Sequence, residues 1–344
     1  MNETLRLCLY LASLILTAVA GGAIAYNFPR HIPLTRNARF LAGAALAPYL
    51  IGFWAGPAIL LLPKGLSSAT LLLPPLAALL AAIILRRRLA SACRGILHTI
   101  TRRTDKVLLI CAFAVIAAVA LKLGRNAAAP VDGYDALSYM QEAIATADNT
   151  ANAENFLFKR MDYDKHNYVW PSYLSYAFLW GEAQRYPADL PARLAFQLPF
   201  LGLMLSIFVL AAPLRTPGLG LFTLFVFLLV PSIGHIPLAC DREAFALIPL
   251  LLLAASLLEL SPAKLKNTRR GTLCWFFLLA LAAISGHTLG AIWTAILCAA
   301  WTLSILRRGA SLVSTLAPLL AAAAGLVAGG LHYLIHLLTF NKFT

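Results

Sequence analysis

Two aspartates, Asp132 and Asp135, stand close together in Ala129-Pro130-Val131-Asp132-Gly133-Tyr134-Asp135-Ala136-Leu137-Ser138-Tyr139, directly after an apolar run. A carboxylate at such an edge is partly desolvated and lies near lipid headgroups, which favours use as a general base. The same two residues also suit plain capping, Asp132 of a turn and Asp135 of a helix. A second acidic spot, Cys240-Asp241-Arg242-Glu243, opens a later apolar run. There the helix dipole would stabilise Asp241 and Glu243, and Arg242 could contact a phosphate or pair with its neighbours. Charges at such an edge also serve as ordinary interface anchors. A third spot, Lys165-His166-Asn167-Tyr168, offers a cation and an imidazole to a phosphate leaving group, and equally reads as a solvated turn. His287 lies between two apolar runs, and a polar residue at membrane depth is a functional candidate. His332 and His336 share a helix face at i, i+4 spacing but have no third ligand in view, so no metal site is assigned.

These groups must be positioned by elements of an unusual composition. Of 344 residues, 60% are hydrophobic and 12% are charged. A soluble domain carries about twice that share of charge. The expected fold is all-α and polytopic, with about ten transmembrane helices and one large external loop. Apolar runs place spans near 5–26, 40–62, 67–85, 107–124, 191–212, 218–232, 243–260, 273–286, 288–306 and 311–337. A span needs about 20 residues. The short runs at 218–232 and 273–286 suggest tilt or partial burial, and 273–286 with 288–306 could instead form a hairpin. The run from Leu5 to Tyr26 ends in Ala23-Ile24-Ala25, a sequence compatible with signal cleavage. Its spanning length favours an uncleaved first helix.

The net charge of +14 comes from 28 Lys+Arg against 14 Asp+Glu. The cations gather between apolar runs, as at Arg30, Arg36 and Arg39, from Arg86 to Lys106, at Arg215, from Lys264 to Arg270, and at Arg307 and Arg308. These are alternate loops, so all can be cytoplasmic at once, which excludes nucleic acid as the reason for the charge. The N-terminus and residues 125–190 then fall outside. That segment holds nine of the 14 acids and many aromatics. A long loop of this kind is usually functional. Ala136–Ala147 can form a helix, and Leu174, Ala177, Phe178 and Trp180 suggest an amphipathic stretch on the membrane surface. The six cysteines show neither CxxC spacing nor a disulfide framework.

The order of these elements resembles the GT-C membrane glycosyltransferases, in particular the protein mannosyltransferase-like, aminoarabinose-transferase-like and lipopolysaccharide-core galacturonosyltransferase-like branch. Gly133 to Tyr139 is similar to the family's aromatic-Asp-x-x-x-Tyr opening of its first large external loop. Tyr168 to Tyr176, with Pro171, resembles its proline-containing loop helix. Pro191-Ala192-Arg193-Leu194 looks like its Ala-Arg-Leu helix start, and Cys240-Asp241 before Ala244-Phe245-Ala246-Leu247 is similar to its Thr-Asp helix. Gly286-His287-Thr288-Leu289-Gly290 resembles its Lys-Tyr-Thr/Ser-Gly turn, with His where Lys is commoner. The resemblance divides the chain into an N-terminal three-span region (1–106), a GT-C-like core (107–306) and a C-terminal span (307–344).

The resemblance implies transfer of a sugar from a polyprenyl-phosphate donor to an envelope glycan, lipid or protein, with inversion. Asp135 would be the base and Asp132 its assistant. Asp241, Arg242, Glu243, Lys165, His166 and His287 would bind substrate and the leaving phosphate. It requires no cofactor and leaves room for a divalent metal, Mg or Mn. It also implies a bacterial inner membrane with the site facing the periplasm or exterior. The rival readings are a non-enzymatic transporter, flippase or assembly subunit, a truncated inactive GT-C relative, and an O-antigen ligase or polymerase. The acid-rich loop counts against the last of these.

Overall fold

A computed structural model of the chain describes residues 3–27, 32–61, 73–84, 190–214, 243–265, 268 and 270–331, with isolated helical positions between 87 and 121 and at 173, 176, 177 and 180. Among the described residues the regular structure is all helical. An apolar chain in lipid has no water to satisfy its backbone, and the helix satisfies each N–H and C=O within its own segment. The helices are α1 (Glu3–Asn27), α2 (Arg36–Ala45), α3 (Ala47–Leu61), α4 (Leu73–Ile84), α5 (Leu190–Leu214), α6 (Glu243–Glu259), the short α7 (Pro262–Leu265), α8 (Arg270–Gly286), α9 (Leu289–Arg307) and α10 (Leu312–Gly329).

Four of the described helices are long and apolar enough to cross a membrane, and α2 with α3 makes a fifth if that pair, bent by 43°, counts as one span. The stretches Phe245–Glu259 and Arg270–Gly286 are shorter apolar helices. The expected run at 218–232 lies outside the described residues, and those at 67–85 and 107–124 are described only in part. The expected single span at 40–62 is two helices, because Pro48 cannot supply the N–H that would carry α2 through Leu46 into α3. Proline is instead accommodated in the first turn of α3. The runs 273–286 and 288–306 are separate helices joined by a tight turn.

The helix ends are set by local chemistry. The Ala38 N–H donates to Thr35 Oγ1 (3.3 Å) to cap α2, and the Ser314 N–H donates to Ser311 Oγ (3.2 Å) to cap α10. Gly309, at φ +85°, turns the chain after α9. Hydroxyls within the helices bond back to their own backbone: Thr17 to Ser13 O, Ser206 to Gly202 O and Ser256 to Leu252 O, at 2.7–2.8 Å.

Helices in lipid gain nothing from hiding apolar surface, so they associate by close packing and a few polar contacts. Gly21 of α1 and Gly43 of α2 pack backbone to backbone, and a Cβ on either would strike the other's carbonyl. Gly325 and Gly329 of α10, in GxxxG spacing, rest on the backbone of α8 at Phe277 and Leu281. The order of those contacts shows that α8 and α10 run the same way. Trp275 Nε1 of α8 donates to Ser256 Oγ of α6 at 2.9 Å. Phe245 meets the far end of α8, so α6 and α8 are antiparallel. One continuous buried cluster runs through the bundle and includes Tyr10, Tyr49, Phe208, Phe245, Leu252 and Phe276.

This arrangement gives the bundle two distinct ends. The C-terminal ends of α5, α6 and α9 and the N-cap of α2 gather at one end, around Pro213, Leu258, Arg308 and Thr35. Their flanking residues include Arg36, Lys264, Arg270 and Arg307, so described cations from three of the five basic loops lie at this end. The N-terminal end of α6 and the α8–α9 turn lie at the other.

Candidate functional site

The aromatic end is built around Tyr49 of α3, which is 1% exposed. Its ring lies 4.9 Å from that of Phe245, in the first turn of α6, and 6.2 Å from Phe53. Tyr173 packs on the other side of Phe245 at 5.5 Å. The Tyr49 hydroxyl reaches Gly286, where a Cβ would come within 2.6 Å of it. Only glycine admits that approach. Three separated parts of the chain therefore meet here: the late loop segment at 173–180, the start of α6, and the Gly286-His287 turn. Pro249, four residues after Phe245, lacks the N–H that the Phe245 carbonyl would accept in a regular helix.

A second half of the nest surrounds Tyr176. Its hydroxyl shares a hydrogen bond of 2.7 Å with Ser13 Oγ of α1. Its ring stands edge-on to Trp54 (6.1 Å) and Trp180 (6.2 Å), and 6.4 Å from Tyr10. Edge-to-face pairs at these distances contribute beyond the area they bury. Tyr10, Tyr173, Tyr176 and Trp180 are all buried. Burial pushes the Tyr173 and Tyr176 phenols above their ordinary value, so both act as neutral hydroxyls. Among the described residues, Tyr49 Oη is buried with no hydrogen-bond partner. A buried polar group without a partner costs about 1–3 kcal/mol, so the packing around Tyr49 must outweigh that cost.

His287 is the one expected site residue whose side chain the structure describes, and it is 8% exposed. Its Nδ1 accepts the Leu289 N–H at 3.1 Å, so in this arrangement the ring proton sits on Nε2. The imidazole thereby caps the first N–H of α9, which Thr288 does not cap. The His287 backbone N–H donates to Ala283 O (3.2 Å), and the His287 backbone carbonyl accepts the Gly290 N–H (2.8 Å). The turn closes because Gly290 has no side chain to meet the Ala283 carbonyl.

Glu243 begins α6, with its side chain outside the description. Asp132, Asp135, Lys165, His166, Asp241 and Arg242 lie outside the described residues, as do His332 and His336. The helix that Asp241 and Arg242 precede starts beside Tyr49 and Gly286. Arg193, from the Ala-Arg-Leu helix start, is buried in the first turn of α5, at 5% exposure. Among the described residues, no three His, Cys, Asp or Glu side chains are grouped to hold a metal ion.

Sequence reasoning passed over Tyr10, Ser13, Tyr49 and Trp54, which sit inside runs read only as apolar. The signal was there in part, since Tyr10 and Ser13 share a helix face at i, i+3, as do Tyr49 and Phe53 at i, i+4. Fold and site together define an α-helical, membrane-type bundle with an aromatic, glycine-pinched nest at one end and a basic rim at the other. No protein-family model matches the chain, and neither the curated proteins nor the solved structures offer a match.

Proposed function

We propose that the chain is a membrane glycosyltransferase of the GT-C kind, taking a sugar from a polyprenyl-phosphate donor at the aromatic end. The observation that carries this reading is the meeting of Tyr173, Phe245 and Gly286 around Tyr49. These residues belong to three of the motifs on which the family resemblance rests, motifs separated by many residues in sequence. Asp135 would take the proton of the acceptor hydroxyl, with Asp132 beside it. Asp241, Arg242 and Glu243, at the start of α6, would line the donor side. Lys165 and His166, with His287, would meet the departing phosphate, where charge builds in the transition state. The acceptor is an envelope glycan, lipid or protein, and the basic rim faces the cytoplasm.

The test is transfer of radiolabelled sugar from polyprenyl-phosphate donors in membranes holding equal amounts of wild type, Asp135→Asn and Asp241→Asn. Loss of at least about a hundredfold with Asp135→Asn, in a protein that still folds, is expected of a general base. Equal activity in all three removes Asp135 from the chemistry.

A second reading, a transporter or flippase, draws on the break between α2 and α3 together with the buried Arg39 and Asn37, each 6% exposed. Broken helices and buried charges mark transport pathways. Arg39 lies one turn from the basic end rather than at mid-depth, which favours the enzyme. Substrate flux in proteoliposomes that falls with Arg39→Gln would reverse that preference.

A further inference from the structure

The basic end holds a cavity of about 540 Å³ between α2, α5, α6 and α9. That is a ligand-sized volume. Its walls are of two kinds. Ala212, Pro213, Leu258, Leu260 and Pro262 supply apolar lining, and Thr35, Glu259, Ser261 and Arg308 supply polar lining. The Glu259 carboxylate is held by Lys264 Nζ at 3.4 Å, and that ammonium also donates to the Glu259 carbonyl at 2.9 Å. Its charge is thus locally compensated. Arg308 is exposed, and among the described residues no carboxylate pairs with it. Thr35 caps α2, so the positive end of that helix dipole opens on the same space. Arg36 and Arg307 flank these residues in the chain. The cavity therefore combines an unpaired cation with apolar lining, at the depth where the helices end.

We propose that this cavity holds the headgroup of an anionic phospholipid from the leaflet at the basic end. The phosphate lies against Arg308 and the N-terminal end of α2, and the glycerol backbone lies against Ala212, Pro213 and Leu258. A free phosphate would use the cation but would leave the apolar wall bare. A zwitterionic lipid would fill the space but would gain little from Arg308. Basic pockets between helices at this depth suit anionic headgroups, and each cation there is worth about a fivefold preference. The site does not depend on the transferase reading, being at the opposite end of the bundle.

The test is native mass spectrometry of the purified chain in detergent, titrated with phosphatidylglycerol or phosphatidylcholine of the same acyl chains. Wild type is expected to retain phosphatidylglycerol about fivefold better. Arg308→Ala should bring the two lipids level, while Arg308→Lys should keep most of the preference. Ala212→Trp fills the cavity without changing charge and should abolish retention of the anionic lipid. Arg87 is exposed and does not line the cavity, so Arg87→Ala should leave the preference intact. Three results overturn the proposal: no preference in wild type, an equal loss with Arg87→Ala, or displacement of the lipid by millimolar inorganic phosphate. The last would make the site one for free phosphate.

Discussion

Replacing Gly286 with alanine perturbs the point where α3, α6 and the α8–α9 turn converge, and its cost follows from three distances. The added Cβ would lie 2.6 Å from Tyr49 Oη, 2.9 Å from the Phe245 carbonyl carbon and 3.0 Å from the Ala246 nitrogen. The first contact ends a side chain that is wedged against Phe245 and fully buried. The other two are backbone atoms of α6. Ordinary contact requires about 3.5 Å, so the first turn of α6 must move by about half an ångström. Overpacking of this kind costs about 1–3 kcal/mol, and the helix propensity gained on going from Gly to Ala returns at most about 1 kcal/mol. Gly286→Ala should therefore destabilise by about 1–2 kcal/mol, measured as reversible unfolding in mixed micelles. Tyr49→Phe alone should cost little, because it removes a buried hydroxyl that has no partner among the described residues. Combined with Gly286→Ala it should recover less than half of the loss, since two backbone contacts remain. The half-ångström shift also displaces the helix that Asp241 and Arg242 precede, so transfer should fall by about tenfold. A Gly286→Ala protein as stable as wild type would refute this packing. So would a Tyr49→Phe protein destabilised by more than about 1 kcal/mol.

Ser13→Ala removes the partner of the buried Tyr176 hydroxyl, and should cost about 1–2 kcal/mol while speeding limited proteolysis within 125–190; an unchanged cleavage rate would deny that this bond ties the segment to α1. Trp275→Phe deletes the hydrogen bond between α8 and α6, and should cost about 0.6–1.7 kcal/mol by the same unfolding measurement. Gly325→Val puts a branched side chain against the Phe277 carbonyl, where even a Cβ has no room. It should separate α10 from α8 and lower the yield of folded protein in detergent by several-fold, whereas Val327→Ala, on the exposed face of α10, should leave the yield unchanged.

Much of the helical framework was legible because hydropathy reports the property that lipid selects. The expected runs 5–26, 191–212, 243–260 and 288–306 differ from α1, α5, α6 and α9 by two residues or fewer at each end. Thr35, Pro213, Leu258 and Arg308 share one end, beside basic residues that flank the apolar runs in the sequence. Hydropathy measures length and composition but not direction, so a uniformly apolar run concealed the bend at Leu46. The readable sign was Pro48, and the polar residues before it made the helix look as if it began later. Asn37 and Arg39 stand just before the apolar run, yet in a bundle surrounded by lipid the polar side of a helix turns toward its neighbours and the apolar side turns out. Leu312, Val313 and Leu320 are exposed, while Arg39 and Arg193 are buried. The same inversion hid half of the candidate site. Tyr10, Ser13, Tyr49 and Trp54 read as incidental residues of apolar spans because the reading sought chemistry in the polar loop. Their positions acquire meaning only from contacts across the bundle, such as Ser13 with Tyr176 and Tyr49 with Gly286, which no local pattern encodes. Motif order along the chain pointed to the start of α6 and the Gly286-His287 turn as candidates, and the span residues between them are what bring those motifs together.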